Sequence, residues 1–445
     1  MTLEDTIAAI STPVGEGAIA VLRLSGSEAK AIVSRIFRGG TSVAEWEPRR
    51  LYLGEVWSQD GKIDQVLGTY FRAPHSYTGQ DLIEISCHGG ILLTRQILAL
   101  LLRSGARAAD PGEFTQRSFL NGKMDLTQAE AVMDVIHAQT ELALRAANEQ
   151  LAGRLGSELR QLQDALLTTL AHVEAYIDFP DEQIDPDTGV TLDERLKDIG
   201  RRLQRLLRTA EQGRILRHGL RTVIYGEPNV GKSSLLNLLL GYDRAIVSEI
   251  PGTTRDTIED TINFHGIPVR LIDTAGARES HDRVEQEGIR RTRVELEQAD
   301  LILHMVDASS SPGNEDIRSD QKRLLILNKV DLGLHPYWKA ADGIRFSCKT
   351  DFGREALENK IRNRVIGDEV SLQNSHIAIS ARHQSCLHAA EQAVNKASEG
   401  IAQSQLPELI AVDLRSALDE IGDVVGKHDT EDLLGKIFRE FCIGK

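Results

Sequence analysis

The spacing of apolar and polar positions changes several times along the chain, and each change marks a different kind of packing. From residue 3 to about 120 the apolar residues come in short runs between turn-forming clusters. Residues 7–10 and 18–24 flank the Ser11-Thr12-Pro13-Val14-Gly15-Glu16-Gly17 turn, and further β-like runs follow at 51–56, 65–72 and 81–86. A helix is expected at 91–103. This region therefore reads as an α+β domain. Polar and glycine-rich clusters fall where its strands end, notably Ser76-Tyr77-Thr78-Gly79, His88-Gly89-Gly90 and Pro111-Gly112-Glu113-Phe114-Thr115. Each reads as a turn, and His88 suits a loop or core position as well as a functional one.

From Leu126 the spacing is helical, with Leu126, Ala129, Met133, Ile136 and Thr140 on one face. Helix continues through 155–176 and stops at Asp178-Phe179-Pro180-Asp181-Glu182. A second long helix carries Leu192, Leu196, Ile199, Leu203, Leu206 and Ala210 against a charged opposite face. That stripe predicts core packing and would also suit an oligomer contact. Residues 217 to about 366 alternate strand and helix, with buried strands at 269–272, 301–306, 324–327 and 344–346, the signature of a parallel sheet wrapped by helices. The helical pattern returns at 380–398 and 409–421. The α/β segment is thus expected to be inserted between two halves of one helical domain.

At 445 residues the chain exceeds one ordinary core, and about 150 residues per domain suggests about three domains. Hydrophobic residues make up 41% and charged residues 27%, and no apolar run is long enough for a bilayer, so no membrane association is expected. The acidic start Met1-Thr2-Leu3-Glu4-Asp5 lacks the features of a signal peptide, which points to the cytoplasm. Cys87, Cys348, Cys386 and Cys442 have no paired spacing, against a disulfide framework or zinc knuckle. The net charge of −14 opposes nonspecific binding to phosphates, so any nucleic-acid contact must be local or shared with a partner.

The chemistry concentrates in the α/β segment. Gly226-Glu227-Pro228-Asn229-Val230-Gly231-Lys232-Ser233 follows the strand-like run 221–225 and precedes the helical run 234–240, the strand-loop-helix setting of a P-loop. Backbone N–H groups there would face phosphates, Lys232 would neutralise the outer ones, and Ser233 would sit on Mg²⁺. Asp273-Thr274-Ala275-Gly276 ends a buried strand, where the aspartate can hold Mg²⁺ through water and the glycine amide can meet a γ-phosphate. Asn328-Lys329-Val330-Asp331 follows another strand. Asp331 can accept two hydrogen bonds from guanine that adenine lacks, so the nucleotide read is a guanine nucleotide. Ser347-Cys348-Lys349 would support the base, and Thr254 within Gly252-Thr253-Thr254-Arg255-Asp256 is the candidate switch hydroxyl on Mg²⁺.

One expected part is missing. Small GTPases position the attacking water with a glutamine just after this glycine, but here the order is Gly276-Ala277-Arg278. Alanine cannot orient water, which leaves Glu279, Asp282, Glu285 and Glu287 as candidates. No arginine finger is visible either. A bound monovalent cation would supply the lacking charge, and the side-chain oxygen of Asn229 suits that role as evenly as it suits capping the loop.

With these motifs placed, the chain resembles the MnmE (TrmE) family of tRNA-modification GTPases along essentially its whole length. The likeness extends beyond the GTPase segments to Asp5-Thr6-Ile7-Ala8-Ala9, Pro111-Gly112-Glu113-Phe114 with Phe119-Leu120-Asn121, Ile177-Asp178-Phe179-Pro180-Asp181-Glu182, and the terminal Phe441-Cys442-Ile443-Gly444-Lys445. It implies a tetrahydrofolate-binding and dimerising domain at 1–120, a helical domain in two parts at 121–216 and 371–445, and a P-loop GTPase domain at 217–370. Nucleotide contacts are expected from Asn229, Val230, Gly231, Lys232, Ser233 and Ser234, from Ser248, Glu249, Ile250, Pro251, Gly252, Thr253 and Thr254, from Asp273, Thr274, Ala275 and Gly276, and from Asn328, Lys329, Asp331, Ser347, Cys348 and Lys349.

By the same resemblance Ser233 and Thr254 hold Mg²⁺, while Asn229, Ser248, Ile250 and Thr253 hold K⁺. Glu285 orients the hydrolytic water. Arg23, Glu84, Lys123 and Lys445 contact a tetrahydrofolate derivative, the 5,10-methylene or 5-formyl form, although residue type alone reads Arg23 and Glu84 as a surface or cross-strand charge pair. Cys442 matches the family's terminal cysteine, as nucleophile or as structural thiol. The implied partners are a second copy of the chain, the flavoprotein MnmG with its FAD and NADH in a heterotetramer or larger complex, and tRNA. The implied outcome is an aminomethyl or carboxymethylaminomethyl group at carbon 5 of the wobble uridine. A GTPase switch in ribosome assembly is the alternative, for which a basic RNA-binding appendage would speak.

Overall fold

The computed structural model describes residues 4–178, 189–241, 259–273, 294–312, 322–366, 379–427, 431–439 and 441–444. The chain divides into two compact units, one of Met1–Met133, Leu155–Gln163 and Leu418–Lys445, the other of Asp134–Arg154 and Asp164–Ala417.

The first unit is built on a seven-stranded sheet of β1 (Ile7–Ile10), β2 (Gly17–Ser25), β3 (Phe37–Gly39), β4 (Leu51–Ser58), β5 (Gly61–Phe71), β6 (Leu82–Gly89) and β7 (Arg107–Ala108). The order is β3-β4-β5-β6-β2-β1-β7, antiparallel except where β7 runs parallel to β1. Alternate side chains point to one face: Ala20, Leu22 and Leu24 of β2, Val66 of β5, and Ile83 and Ile85 of β6 are buried with Ile32 and Val33 of the helix Ala29–Ser34 and Ile97 and Leu101 of the helix Ile91–Arg103. Two strand glycines are required by close packing. A Cβ on Gly54 would lie 2.2 Å from the Phe37 ring and one on Gly68 2.1 Å from the Trp46 ring.

The helix Ile91–Arg103 begins and ends where its apolar spacing predicts. The helix Glu113–Leu120 stands where the sequence read a turn. Its inward face is largely polar, with Glu113, Thr115, Arg117 and Ser118 all buried, so no apolar stripe announces it. The buried charges are paired. Arg117 donates to Glu113 at 2.9 Å and to the Asp5 carbonyl at 2.7 Å, and both Arg117 and Arg107 pair with the carboxylates of Asp5 and Glu113. Burial pushes the Glu113 and Asp5 carboxyls up, but hydrogen bonds from Arg107 and Arg117 outweigh it and leave both below the usual carboxylate range. The last helix, Glu431–Phe438, and the residues after it pack on the same region. Phe438 and Phe441 lie 5.2 Å apart beside Gly112, and Ser11 Oγ donates to the Gly444 carbonyl at 3.1 Å.

The second unit holds a six-stranded sheet of β8 (Leu220–Tyr225), β9 (Glu259–Phe264), β10 (Ile267–Asp273), β11 (Leu301–Asp307), β12 (Arg323–Asn328) and β13 (Ile344–Arg345) in the order β13-β12-β11-β8-β10-β9. Every pairing is parallel except β9 with β10, a hairpin turning through His265 and Gly266 that the sequence pattern did not reveal. The long helix Gly189–Arg208 stops before Ala210, and at the break Thr209 Oγ1 donates to the Leu206 carbonyl at 2.7 Å. A separate helix, Ala210–His218, follows. Helices from before and after the α/β segment meet: Leu196, Ile199 and Leu203 are buried, as are Leu387, Ala390, Val394 and Ala397 of Ala381–Ala402, and Ser398 Oγ donates to Asp193 at 2.7 Å. No helix among the described residues is long and apolar enough to cross a membrane.

The buried charge network makes a testable demand. Removing Arg117 as Arg117→Met leaves Glu113 and Asp5 short of a cation, and the expected loss is ~3–5 kcal/mol of stability. Urea unfolding followed by Trp46 and Trp57 fluorescence in a Trp338→Phe background measures it. The pH dependence has a definite sign. Because the folded carboxyls titrate below the unfolded ones, their contribution is full above the ordinary carboxylate range and is lost as pH falls through the lower folded values. Stability should therefore drop below about pH 4, and less steeply in Arg117→Met.

Candidate functional site

The loop 226–231 runs between β8 and the helix Lys232–Leu240, and its conformation accounts for its residues. Gly226 and Gly231 have φ of 147° and 108°, and Asn229 adopts φ 64°. Neither glycine position has room for a side chain: a Cβ would stand 2.2 Å from the Met305 carbonyl at Gly226 and 2.4 Å from Asn328 Nδ2 at Gly231. Gly231 is the N-cap of the helix and no side chain among the described residues caps it, so its first turn is left to a ligand or to backbone partners. That is an anion cradle by construction. Lys232 folds over the loop, donating to the carbonyls of Gly226 and Glu227 at 2.8 and 2.6 Å. Ser233, Ser234 and Asn229 are exposed at its rim.

A second loop meets the first through one side chain. Asn328, at the end of β12 and 2% exposed, donates from Nδ2 to the Val230 carbonyl at 2.7 Å and accepts from the Cys348 N–H at 3.2 Å on Oδ1. Its amide therefore joins the phosphate-type loop, its own strand and the segment 347–349. Ser347 is fully buried and donates to Asp331 Oδ1 at 2.6 Å, which fixes the carboxylate while Asp331 itself stays exposed. Val330 N and the Phe346 carbonyl, 3.2 Å apart, close the same corner. Cys348 is half-buried, and burial pushes its thiol up to about 11, so it packs as a neutral group.

Lys329, at φ 62°, reaches Asp307 Oδ2 at 2.6 Å. Burial raises the Asp307 carboxyl, but bonds from Lys329 and Ser309 outweigh it and hold it below the usual range. Asp307 was not singled out in the sequence. Its position as the last residue of a buried strand, level with Asn328 of the next strand, is the signal that would have found it. Of the remaining expected nucleotide residues, Asp273 ends β10, while Ser248, Glu249, Ile250, Pro251, Gly252, Thr253, Thr254, Thr274, Ala275, Gly276 and Glu285 lie outside the described residues.

In the first unit Arg23 and Glu84 are direct cross-strand neighbours on β2 and β6, with Nε to Oε1 at 2.7 Å, and the Arg23 guanidinium lies 5.7 Å from the Tyr77 ring centre. Lys123 donates to the Pro74 carbonyl at 2.9 Å. The 73–80 segment thus touches both. Cys442 is exposed, and its carbonyl accepts from Gly112 N at 3.4 Å; Lys445 lies outside the described residues.

Together, a parallel sheet with a left-handed glycine loop and an open helix N-terminus at the end of its central strand defines a P-loop nucleotide-binding domain of the GTPase type within a larger α+β and helical chain. The family model for the GTP-binding protein TrmE N-terminus matches residues 6–123, and that for the MnmE helical domain matches 126–442. The tRNA modification GTPase MnmE of Akkermansia muciniphila is 53% identical over 450 residues, covering 99% of both chains. Those of Natranaerobius thermophilus and Clostridioides difficile are each 43% identical, over 99% and 100% of this chain and 100% of theirs. The chain belongs to the MnmE family of tRNA modification GTPases.

The Asn328 amide is the most exposed point of failure. Asn328→Ala orphans the Val230 carbonyl and the Cys348 N–H, each worth ~1–3 kcal/mol when buried and unpaired. Affinity for GDP, read by fluorescent-nucleotide titration, should fall by roughly 10- to 100-fold while the chain remains folded.

Proposed function

We propose that this chain hydrolyses GTP to GDP and phosphate in the service of tRNA modification, with K⁺ as activator. The observation that carries the reading is the uncapped N-terminus at Lys232 beside a loop held open by Gly226 and Gly231, in a chain of this family. The backbone N–H groups there bind phosphate oxygens and Lys232 exchanges its two carbonyl partners for them. Ser233 and Thr254 would hold Mg²⁺, which would supply positive charge to the phosphates. Asp331, its rotamer fixed by Ser347, accepts the guanine N–H pair. Asn229 is exposed at the rim of the loop, where its side-chain oxygen is open to a K⁺ ion. Ser248, Ile250 and Thr253 complete that K⁺ site, and Glu285 orients the water.

Arg23, Glu84, Lys123 and Lys445 hold a tetrahydrofolate derivative, 5,10-methylene or 5-formyl, whose one-carbon unit goes to the wobble uridine of certain tRNAs as part of a 5-aminomethyl or 5-carboxymethylaminomethyl group. The chain acts as a cytoplasmic homodimer with MnmG, which contributes FAD and NADH. Cys442 is exposed, and serves as nucleophile or as structural thiol. With a net charge of −14, most of the phosphate contact with tRNA falls to the partner.

Three measurements test this. Hydrolysis should be much faster in K⁺ than in Na⁺ at equal ionic strength, and Glu285→Ala should lower it by roughly three orders of magnitude with GTP binding nearly unchanged. Equal rates in the two salts would remove the cation mechanism. Asp331→Asn should cut the preference for guanine over adenine nucleotides by roughly 10- to 100-fold, measured as the ratio of their Kd values.

A further inference from the structure

The first unit contains a cavity of about 570 Å³ of which the preceding chemistry uses Lys123 alone. Three elements bring cations to its wall: Lys123 from the segment after the helix Glu113–Leu120, Arg160 from the helix Arg154–Asp178, and Lys427 just beyond the helix Pro407–Val425. Asp125 is the one carboxylate among its described lining residues, and it is engaged. Its Oδ1 accepts from Thr127 Oγ1 at 2.7 Å and Gln128 N at 3.0 Å, and its Oδ2 faces Arg160 at 3.4 Å. The Lys427 ammonium is exposed and has no hydrogen-bond or ion-pair partner among the described residues. In a chain of net charge −14, this wall keeps a surplus of two positive charges. The volume is that of a small-molecule site, and the cations converge on a hollow and form no stripe along which a nucleic-acid backbone could run.

The cavity also adjoins the region given to the folate carrier. The segment 73–80 places Tyr77 near Arg23 and, two residues on, Gly79 against Lys123, where a Cβ would meet Lys123 Cγ at 3.3 Å. Two residues of extended chain span at most ~7 Å. Lys123 thus stands at the boundary, lining the cavity while its ammonium donates to the Pro74 carbonyl.

We infer that this cavity receives the row of carboxylates on the γ-linked glutamates that trail from a folate coenzyme, with Arg160 and Lys427 as its distal cations and Lys123 as its threshold. The inference rests on the folate reading above and extends it from the head of the coenzyme to the polyglutamate tail. Each added carboxylate gains a partly exposed ion pair, a modest gain that accumulates along the tail and is screened by salt.

The test uses the full chain and two ligands, tetrahydrofolate with one glutamate and with five, titrated calorimetrically under anaerobic conditions. At low ionic strength the pentaglutamate form should bind about tenfold tighter, and the gap should shrink in high salt. Lys427→Glu should close the gap, with GTP hydrolysis at the wild-type rate reporting a folded chain. Pyrophosphate should displace the pentaglutamate form only as its ionic strength dictates. Equal affinity for the two folates would overturn the inference and leave the folate reading standing, whereas binding of neither would overturn both. A gap that survives Lys427→Glu, or specific displacement by pyrophosphate, would also overturn it, the second by marking a phosphate site.

Discussion

A single buried amide governs the nucleotide region. Asn328 is held by β12, and its two ends satisfy a carbonyl of the glycine loop and an N–H of the segment after β13. Neither loop is regular structure, so neither has a ladder to hold it, and buried backbone groups must find partners somewhere. One side chain with both a donor and an acceptor does this for two loops at once. Gly231 follows from the same constraint, since any Cβ there would collide with the amide that fixes the loop. The half-buried Lys232 and the exposed Ser233 and Asp331 are then presented from a rigid base, which is what binding a charged ligand without reorganisation requires.

The first unit solves a different problem. Its sheet needs a covering on one face and receives it from two helices and from Phe37 and Trp46, for which Gly54 and Gly68 make room. At the β1–β7 edge the covering is polar. Arg107 and Arg117 converge on Asp5 and Glu113, tying the start of the chain to residues more than a hundred positions later. A pair of this kind is strongly destabilising to break and stabilises little over an apolar substitute. The tail uses that fixed surface, with Phe438 and Phe441 against Gly112 and Gly444 against Ser11.

Charge ties these regions to chemistry. The chain as a whole is acidic, yet the groups that meet solvent at the candidate sites include Lys232 over the glycine loop, Arg23 beside Glu84, and Lys123, Arg160 and Lys427 around one cavity. Local positive charge on an acidic body favours small anions that fit a shaped hollow and disfavours long polyanions that need a broad field.

What the sequence determined by itself was everything carried by periodicity or by a fixed spacing of unusual residues. The helix Ile91–Arg103, the buried strands β10, β11 and β12, and the glycine loop before Lys232 were all legible, because apolar side chains and obligatory glycines leave a pattern within a few residues. The tertiary structure decided what depends on partners distant in the chain. The helix Glu113–Leu120 buries charges that are tolerable only beside Asp5 and Arg107, and β9 exists through pairing with β10. Arg23 and Glu84 could be read as a cross-strand pair, but their register on β2 and β6 was fixed only by the sheet. Asp307 took its role from Lys329. In each case the energy resides in a pair, and a sequence writes down only one member at a time.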